Sequence, residues 1–249
     1  MTYQGFAYLY DKLMDEEPYN QWFQFFERKQ QQYAPTCKEV LDVGCGTGSF
    51  LLRLAKGGYL ASGVDLSPDM LTVTQEKLNS AGYSVPLFQQ NMCQLEMVDK
   101  FDAVTVFCDS LNYLEEERDV MEAFRSIHQQ LKTDGLFLFD VHTSYKMNEV
   151  FAEQTFAETE DTIAYIWNSF HGEYEDSVEH ELTFFAQHEN GLFERIEELH
   201  KQRTFPIDTY KNWLRDSGFE VLEVTADFHD NEIQPTSERI FFVTKKLDK

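Results

Sequence analysis

An α/β fold, an open and doubly wound parallel sheet carrying an antiparallel β insert, is predicted by three features of this sequence. Short apolar runs alternate with helical patterns from Lys38 to Val141. A glycine cluster, Gly44-Cys45-Gly46-Thr47-Gly48, marks the first strand-to-helix junction. Beyond His142 the pattern becomes a two-residue alternation of apolar and polar side chains. Strands separated by helices at such spacing build right-handed βαβ units, whereas consecutive alternating strands pair as antiparallel hairpins. A chain of 249 residues, 42% hydrophobic and 15% aromatic, is long and apolar enough for one large domain with an insert, and this composition excludes intrinsic disorder.

Each element has its own signal. Phe6, Leu9, Tyr10, Leu13 and Met14 recur at helical spacing, and after Pro18 a second helical run carries Trp22, Phe23, Phe25 and Phe26. Lys38 to Val43 reads as a short buried strand that stops at the glycines, and Phe50, Leu51, Leu52 and Leu54 restart as a helix. Leu60 to Asp65 is a second strand. Ser67-Pro68-Asp69 then supplies an N-cap with proline at the first helical position, opening a helix to about Leu78. Val85 to Gln90 is a third strand, and Phe101 to Cys108 a continuously apolar fourth one, as expected when both faces are covered. A helix over about Glu116 to Leu131 and a fifth strand over Gly135 to Val141 complete the series. The insert reads as three strands, Ile163 to Phe170, Ser177 to His188 and Leu192 to Lys201, with Asn190-Gly191 as a hairpin turn. Pro206 opens a helix to about Ser217, Gly218 caps it, and Phe219 to Phe228 and Arg239 to Lys245 return as strands.

Formal charge is −23, from 21 Lys and Arg against 44 Asp and Glu. Such a field repels phosphate polyanions and anionic lipid, so nucleic-acid substrates and membrane surfaces are disfavoured. The one compact basic cluster before the carboxyl end, His200, Lys201 and Arg203, sits in an acidic stretch. Cys37, Cys45, Cys93 and Cys108 lie far apart, without a C-x-x-C pair or matched histidines, so neither a metal site nor a disulfide framework is expected. The first ten residues lack a basic and apolar leader, and no run approaches about 18 apolar residues. A cytoplasmic location is the expectation.

The segment Leu41-Asp42-Val43-Gly44-Cys45-Gly46-Thr47-Gly48 carries the chemistry. Glycines between a strand and a helix let backbone approach a nucleotide closely and leave helix N–H groups free. A dinucleotide loop and an S-adenosylmethionine loop both have this form. Asp42 separates them by sign: a carboxylate there repels a pyrophosphate and attracts the ammonium of a methionine moiety. Asp65, about twenty residues after Gly44, ends the second strand where an acid accepts from ribose hydroxyls, and serves either cofactor.

On these residues the chain resembles the class I S-adenosylmethionine-dependent methyltransferases over nearly its whole length. Leu41 to Gly48 is similar to the family's first motif and Val64-Asp65-Leu66-Ser67-Pro68-Asp69-Met70-Leu71 to its ribose segment. Asn91-Met92-Cys93 resembles the adenine loop, with Asn91 where the family often has Asp, and Phe101 to Leu114 the fourth strand and following loop. The resemblance implies a Rossmann-like seven-stranded sheet with an antiparallel last strand, S-adenosylmethionine as cofactor and S-adenosylhomocysteine as product. It also implies one domain over 1–249, comprising an N-terminal helical lid (1–35), a cofactor-binding core (36–145), the insert (160–204) and a C-terminal helix with the final strand pair (205–249).

The cofactor-binding residues it implies are Asp42, Gly44, Cys45 and Gly46 for the methionine end, Asp65, Leu66 and Met70 for the ribose, and Asn91, Met92 and Cys93 for adenine. Cys108 and Asp109 follow where methionine and acceptor meet, and Tyr10, Tyr19 and Trp22 stand in the lid, where aromatic faces suit a sulfonium. Ser110, Asn112, Tyr113, Asp140, His142 and Tyr145 follow the fourth and fifth strands and should rim the acceptor. His142 is the general-base candidate, because its reference pKa lies near neutrality, and Tyr113 is the second catalytic candidate. Three functions stay open: methylation of a small molecule at nitrogen or oxygen, methylation of protein or tRNA, and a non-catalytic regulatory protein that binds the cofactor. The insert could also serve a homodimer, with Ile166, Trp167 and Phe170 on an exposed edge strand.

Overall fold

The computed structural model describes residues 6–13, 16–159, 161–188, 190–229 and 232–247. Met14, read as part of the first helix, and the extreme ends of the 1–249 span lie outside the described residues. Helices α1 (Phe6–Leu13) and α2 (Glu16–Tyr33) precede the sheet. Pro18 falls in the first turn of α2, where a missing N–H leaves no bond unmade, so the helix begins ahead of the proline instead of after it.

The predicted alternation follows: β1 (Glu39–Val43), α3 (Ser49–Lys56), β2 (Leu60–Asp65), α4 (Pro68–Ser80), β3 (Leu87–Gln89), β4 (Phe101–Val106), α5 (Glu117–Gln130) and β5 (Leu131–His142). The Ser67 hydroxyl accepts from the Met70 amide at 3.3 Å, so α4 starts on the expected cap. After the insert come α6 (Ile207–Asp216), β10 (Phe219–Ala226) and β11 (Arg239–Lys246). The seven strands lie in the order β10-β11-β5-β4-β1-β2-β3, with β11 antiparallel to both its neighbours and β1 to β5 mutually parallel.

Alternate residues of the central strands feed two apolar layers. On one face Leu41, Val104, Phe137 and Phe139 pack against Phe124, Ile127, Trp213 and Leu214 of α5 and α6. On the other, Val40, Ala103, Leu138 and Phe241 pack against Phe25, Phe26, Leu51 and Leu54 of α2 and α3. The sheet is therefore covered on both sides, and its polar chemistry is confined to the strand ends. Among the described residues no helix is long and apolar enough to cross a membrane.

The insert has four strands, not three: β6 (Gln154–Thr159), β7 (Ile163–His171), β8 (Ser177–Gln187) and β9 (Phe193–Arg203), paired in that order. β6 escaped notice because it is an edge strand, exposed along most of its length, with no apolar alternation to read. Its presence makes β7 an interior strand, which corrects the expected exposed edge. Ile166 and Phe170 remain partly exposed, while Trp167 turns inward against Phe151, Phe156 and His180. The inner face of this sheet also receives α1, whose Leu9 is fully buried with Ile163, Phe184 and Ala186.

Candidate active site

The order of strands reverses between β1 and β4, which opens a crevice at their carboxyl ends. A cavity of about 620 Å³ lies there, floored by the glycine loop and flanked by residues of α1, α2, β2, the turn after β4, and β9. The loop is held by its own backbone: the Gly44 and Cys45 amides donate to the Val64 carbonyl at 2.8 and 3.0 Å. Gly44 has φ +72°, and a Cβ there would stand 2.7 Å from Ser110, so both the turn and the packing require glycine. Gly46, at φ +53°, has open space where a side chain would be, on the side of the cavity.

Two carboxylates stand under this loop. Asp65 accepts from the Gly46 amide at 2.8 Å and the Ser67 amide at 2.9 Å, which ties the glycine turn to the start of α4. Burial raises its carboxyl, and these bonds partly counter that. Asp42 is only 3% exposed; one oxygen accepts from the Thr105 hydroxyl at 2.9 Å, and Oδ2 has no partner among the described residues. Burial, with the Asp65 charge adding to it, pushes the Asp42 carboxyl up to about 7. An unpaired buried carboxylate oxygen is costly unless something cationic meets it, so this atom suits the ammonium of a methionine moiety.

The nucleoside side is lined by Leu66, Met70, Gln90, Asn91 and Met92. Asn91 Oδ1 accepts from the Cys93 amide at 2.9 Å, which leaves its NH₂ as a donor. Cys93 does not line the cavity, correcting that expectation: its thiol turns toward the Asp119 carbonyl on α5. The opposite side is formed by Phe6 and Tyr10 of α1, Tyr19 of α2, and Cys108, Asp109, Ser110, Tyr113 and Leu114 after β4, with His200 of β9 above them.

Trp22, expected beside the sulfonium, instead packs behind the cavity. Its indole N–H donates to Asp140 at 2.9 Å and its ring lies against Phe228, because α2 buries the tryptophan on its sheet-facing side. Asp140 is fully buried and also accepts from the Cys108 and Asp109 amides at 2.9 and 3.1 Å. Those two residues have φ of 56° and 52°, a left-handed pair that non-glycine residues adopt only when the surroundings hold them there. Asp140 is that hold, and Arg239 from β11 is its counter-ion, bonding Asp140 through one nitrogen and Asp109 through the other at 3.0 Å.

Asp109 thus faces the cavity as a fixed anion. Burial alone would raise its carboxyl, but His142 and Arg239 hold it well below the usual carboxylate range, and Gln202 donates to it at 2.9 Å. His142, the expected general base, is corrected by this geometry. It is 4% exposed, does not line the cavity, and sits with Nε2 3.5 Å from Asp109. Burial lowers its imidazole to about 4, so it is a neutral packing residue at pH 7. Asn112 is likewise buried, clasping the insert by accepting from the His142 amide and donating to the Arg203 carbonyl. Asp140 and Tyr145 do not line the cavity either.

Tyr113 does, half exposed, with its hydroxyl 3.0 Å from His200 Nδ1. His200, Gln202 and Arg239 were missed because each reaches the site from roughly 90 to 130 positions away in sequence. Arg239 opens the last strand directly opposite His142, a register that only the pairing of β11 with β5 reveals.

A Rossmann-like sheet with a glycine loop between two strand-end acids defines the class I methyltransferases. Residues 40–135 match the family model described as a methyltransferase domain. A "putative methyltransferase" of Geobacillus sp. (strain WCH70) is 52% identical over 247 residues, covering 99% of this chain and all of that one. The crystal structure of an S-adenosylmethionine-dependent methyltransferase from Clostridium acetobutylicum ATCC 824 superposes with a TM-score of 0.87 at 27% identity, over 97% of this chain and 98% of the other. The sugar N-methyltransferase KedS8 from Streptoalloteichus sp. ATCC 53650 shares the fold, with a TM-score of 0.77 at 22% identity over 98% and 94% of the two chains. The chain belongs to the class I S-adenosylmethionine-dependent methyltransferase family.

Proposed function

We propose that the cavity seats S-adenosylmethionine along the glycine loop and that the chain transfers its methyl group to a small molecule at nitrogen or oxygen, leaving S-adenosylhomocysteine. The observation that carries this reading is the unpaired, buried Asp42 oxygen at the cavity floor. In this reading Asp42, with Gly44, Cys45 and Gly46, receives the amino-acid tail, Asp65, Leu66 and Met70 hold the ribose, and Asn91 and Met92 hold adenine. The bound cofactor supplies a methyl group on a positively charged sulfur, whose bond electrons remain with sulfur when the methyl leaves.

The protein's part is placement and exclusion of water. Tyr10 and Tyr19 line the cavity with aromatic rings suited to a sulfonium, and Cys108 and Asp109 on the same lining are held in place by Asp140 and Arg239. α1 and the inner face of the insert roof the acceptor end, which favours a small acceptor over a folded macromolecule. The net charge of −23 also disfavours RNA. KedS8, which shares the fold, is a sugar N-methyltransferase, and that likeness supports a small-molecule acceptor.

A methyl-labelled S-adenosylmethionine screen over metabolite fractions and cell extract tests the reading. Label is expected in low-mass amine or hydroxyl compounds. Label recovered only in protein or RNA would contradict it.

A further inference from the structure

Tyr113 reaches the acceptor end of the cavity from the Ser110–Tyr113 turn after β4, and His200 reaches it from the inner face of β9. The phenol oxygen and Nδ1 are 3.0 Å apart. A phenol is the stronger acid and an imidazole nitrogen the stronger base, so in this pair the tyrosine O–H donates and Nδ1 accepts. That fixes the ring proton on Nε2. Nε2 is shielded from solvent and has no partner among the described residues, while the Phe6 ring packs on the imidazole at 5.1 Å. A buried donor left over beside a cavity calls for a ligand or an ordered water.

One consequence concerns recognition. With its proton committed to His200, Tyr113 offers the cavity lone pairs only. Resting on the methyl-transfer reading of this cavity, we infer that Tyr113 and His200 form a relay that selects an acceptor bearing N–H or O–H and removes that proton as the methyl group arrives. The acceptor's lone pair forms the new bond to carbon, the carbon–sulfur pair stays on sulfur, and the acceptor's proton moves to Tyr113 Oη. The tyrosine's own proton moves to Nδ1, and once the product has left it passes back to Tyr113, whose half-exposed hydroxyl releases the acceptor's proton to water in the cavity. Tyr113 contacts the acceptor. His200 is a positioning residue that acts through it.

At rest the pair is neutral. Desolvation of the covered hydroxyl, with the Asp109 charge adding to it, raises the Tyr113 phenol, so it holds its proton as the donor to His200. Burial lowers the His200 imidazole, which leaves it a neutral acceptor at pH 7. Ionisable groups around the pair include Asp109, Tyr10 and Asp65 in the cavity lining, His180 directly opposite on β8, and Glu198 two residues back on the same face of β9. The sequence points to His142 for this role; the histidine that lines the cavity is His200.

Nitrogen-15 NMR of the histidine side chains tests the relay on the full chain titrated with S-adenosylhomocysteine, with His200→Gln and His200→Asn assigning the signal. At pH 7.5 His200 is expected as the neutral Nε2–H tautomer. In Tyr113→Phe it should titrate about half a pH unit higher or more, because Nδ1 is released from its donor. An Nδ1–H tautomer in the wild type, or a titration that Tyr113→Phe leaves unmoved, would overturn the inference. Backbone amide shifts of Gly44 and Gly46 in the same samples report cofactor seating. If those stay still, it is the cofactor assignment that fails, and the tautomer still decides the relay.

Discussion

Asp42 and Asp65 are both carboxylates at strand ends, yet their surroundings give them different work. Asp65 has two amide donors and keeps lone pairs for hydroxyls; Asp42 has one hydroxyl donor and one bare oxygen. With its pKa pushed up to about 7 by burial, Asp42 ionises across the neutral range, and a bound ammonium favours the ionised form. Affinity for S-adenosylmethionine should therefore rise by roughly tenfold between pH 5.5 and 7.5, whereas 5′-methylthioadenosine, the same nucleoside without the ammonium, should show a flat profile. Parallel profiles in calorimetry would remove Asp42 from the methionine seat. Asp65→Ala should weaken both nucleosides by roughly 1–3 kcal/mol, the cost of hydroxyls losing a charged partner; equal affinity for variant and wild type would remove the ribose assignment. Asp42, the glycines and Asp65 were legible because their geometry is local to one strand–loop–helix unit. Trp22, Cys93 and His142 were misplaced because sequence gives a side chain's type and element, but not which way a strand end or a helix face turns.

α1 contributes little to the sheet but much to the cavity. It places Phe6 and Tyr10 on the lining while Leu9 is its buried anchor on the insert, with Lys77 of α4 paired to Asp11. Leu9→Ala should cost roughly 2 kcal/mol or more of local stability and speed hydrogen exchange of the α1 amides, leaving β1 and β4 amides as protected as before. Unmoved α1 amides, or equally faster exchange in β1 and β4, would contradict this division. The βαβ elements were legible because apolar runs and caps punctuate them. β6 was not, since an exposed edge strand leaves no periodic trace, and without it β7 looked like an edge.

The molecule as a whole couples its insert to its sheet through buried imidazoles. His142 and His180 are each lowered to about 4 by burial, whereas both would titrate near 6.5 when unfolded. The unfolded chain therefore binds more protons over this range, so their contribution is present above about pH 6.5 and lost as the pH falls toward 4. Asp42 acts with the opposite sign, its raised carboxyl favouring the fold at low pH and withdrawing that contribution as the pH rises to about 7. His180→Phe, which keeps an aromatic ring between Phe151 and Trp167, should flatten the acid limb of a stability–pH profile by roughly 2–3 kcal/mol. Denaturant midpoints at pH 4.5 and 7 check this, and an unchanged limb would contradict it. The global topology was legible from the order of elements, while the assembly of Asp109, Asp140, Gln202 and Arg239 was not, because sheet pairing alone joins them. The most direct test of the whole account is a crystal structure of the chain with S-adenosylhomocysteine. It should have both ribose hydroxyls on Asp65, the amino group at Asp42 and the sulfur facing the Tyr113 side of the cavity. A nucleoside bound away from Asp65, or an amino group pointing away from Asp42, would contradict it.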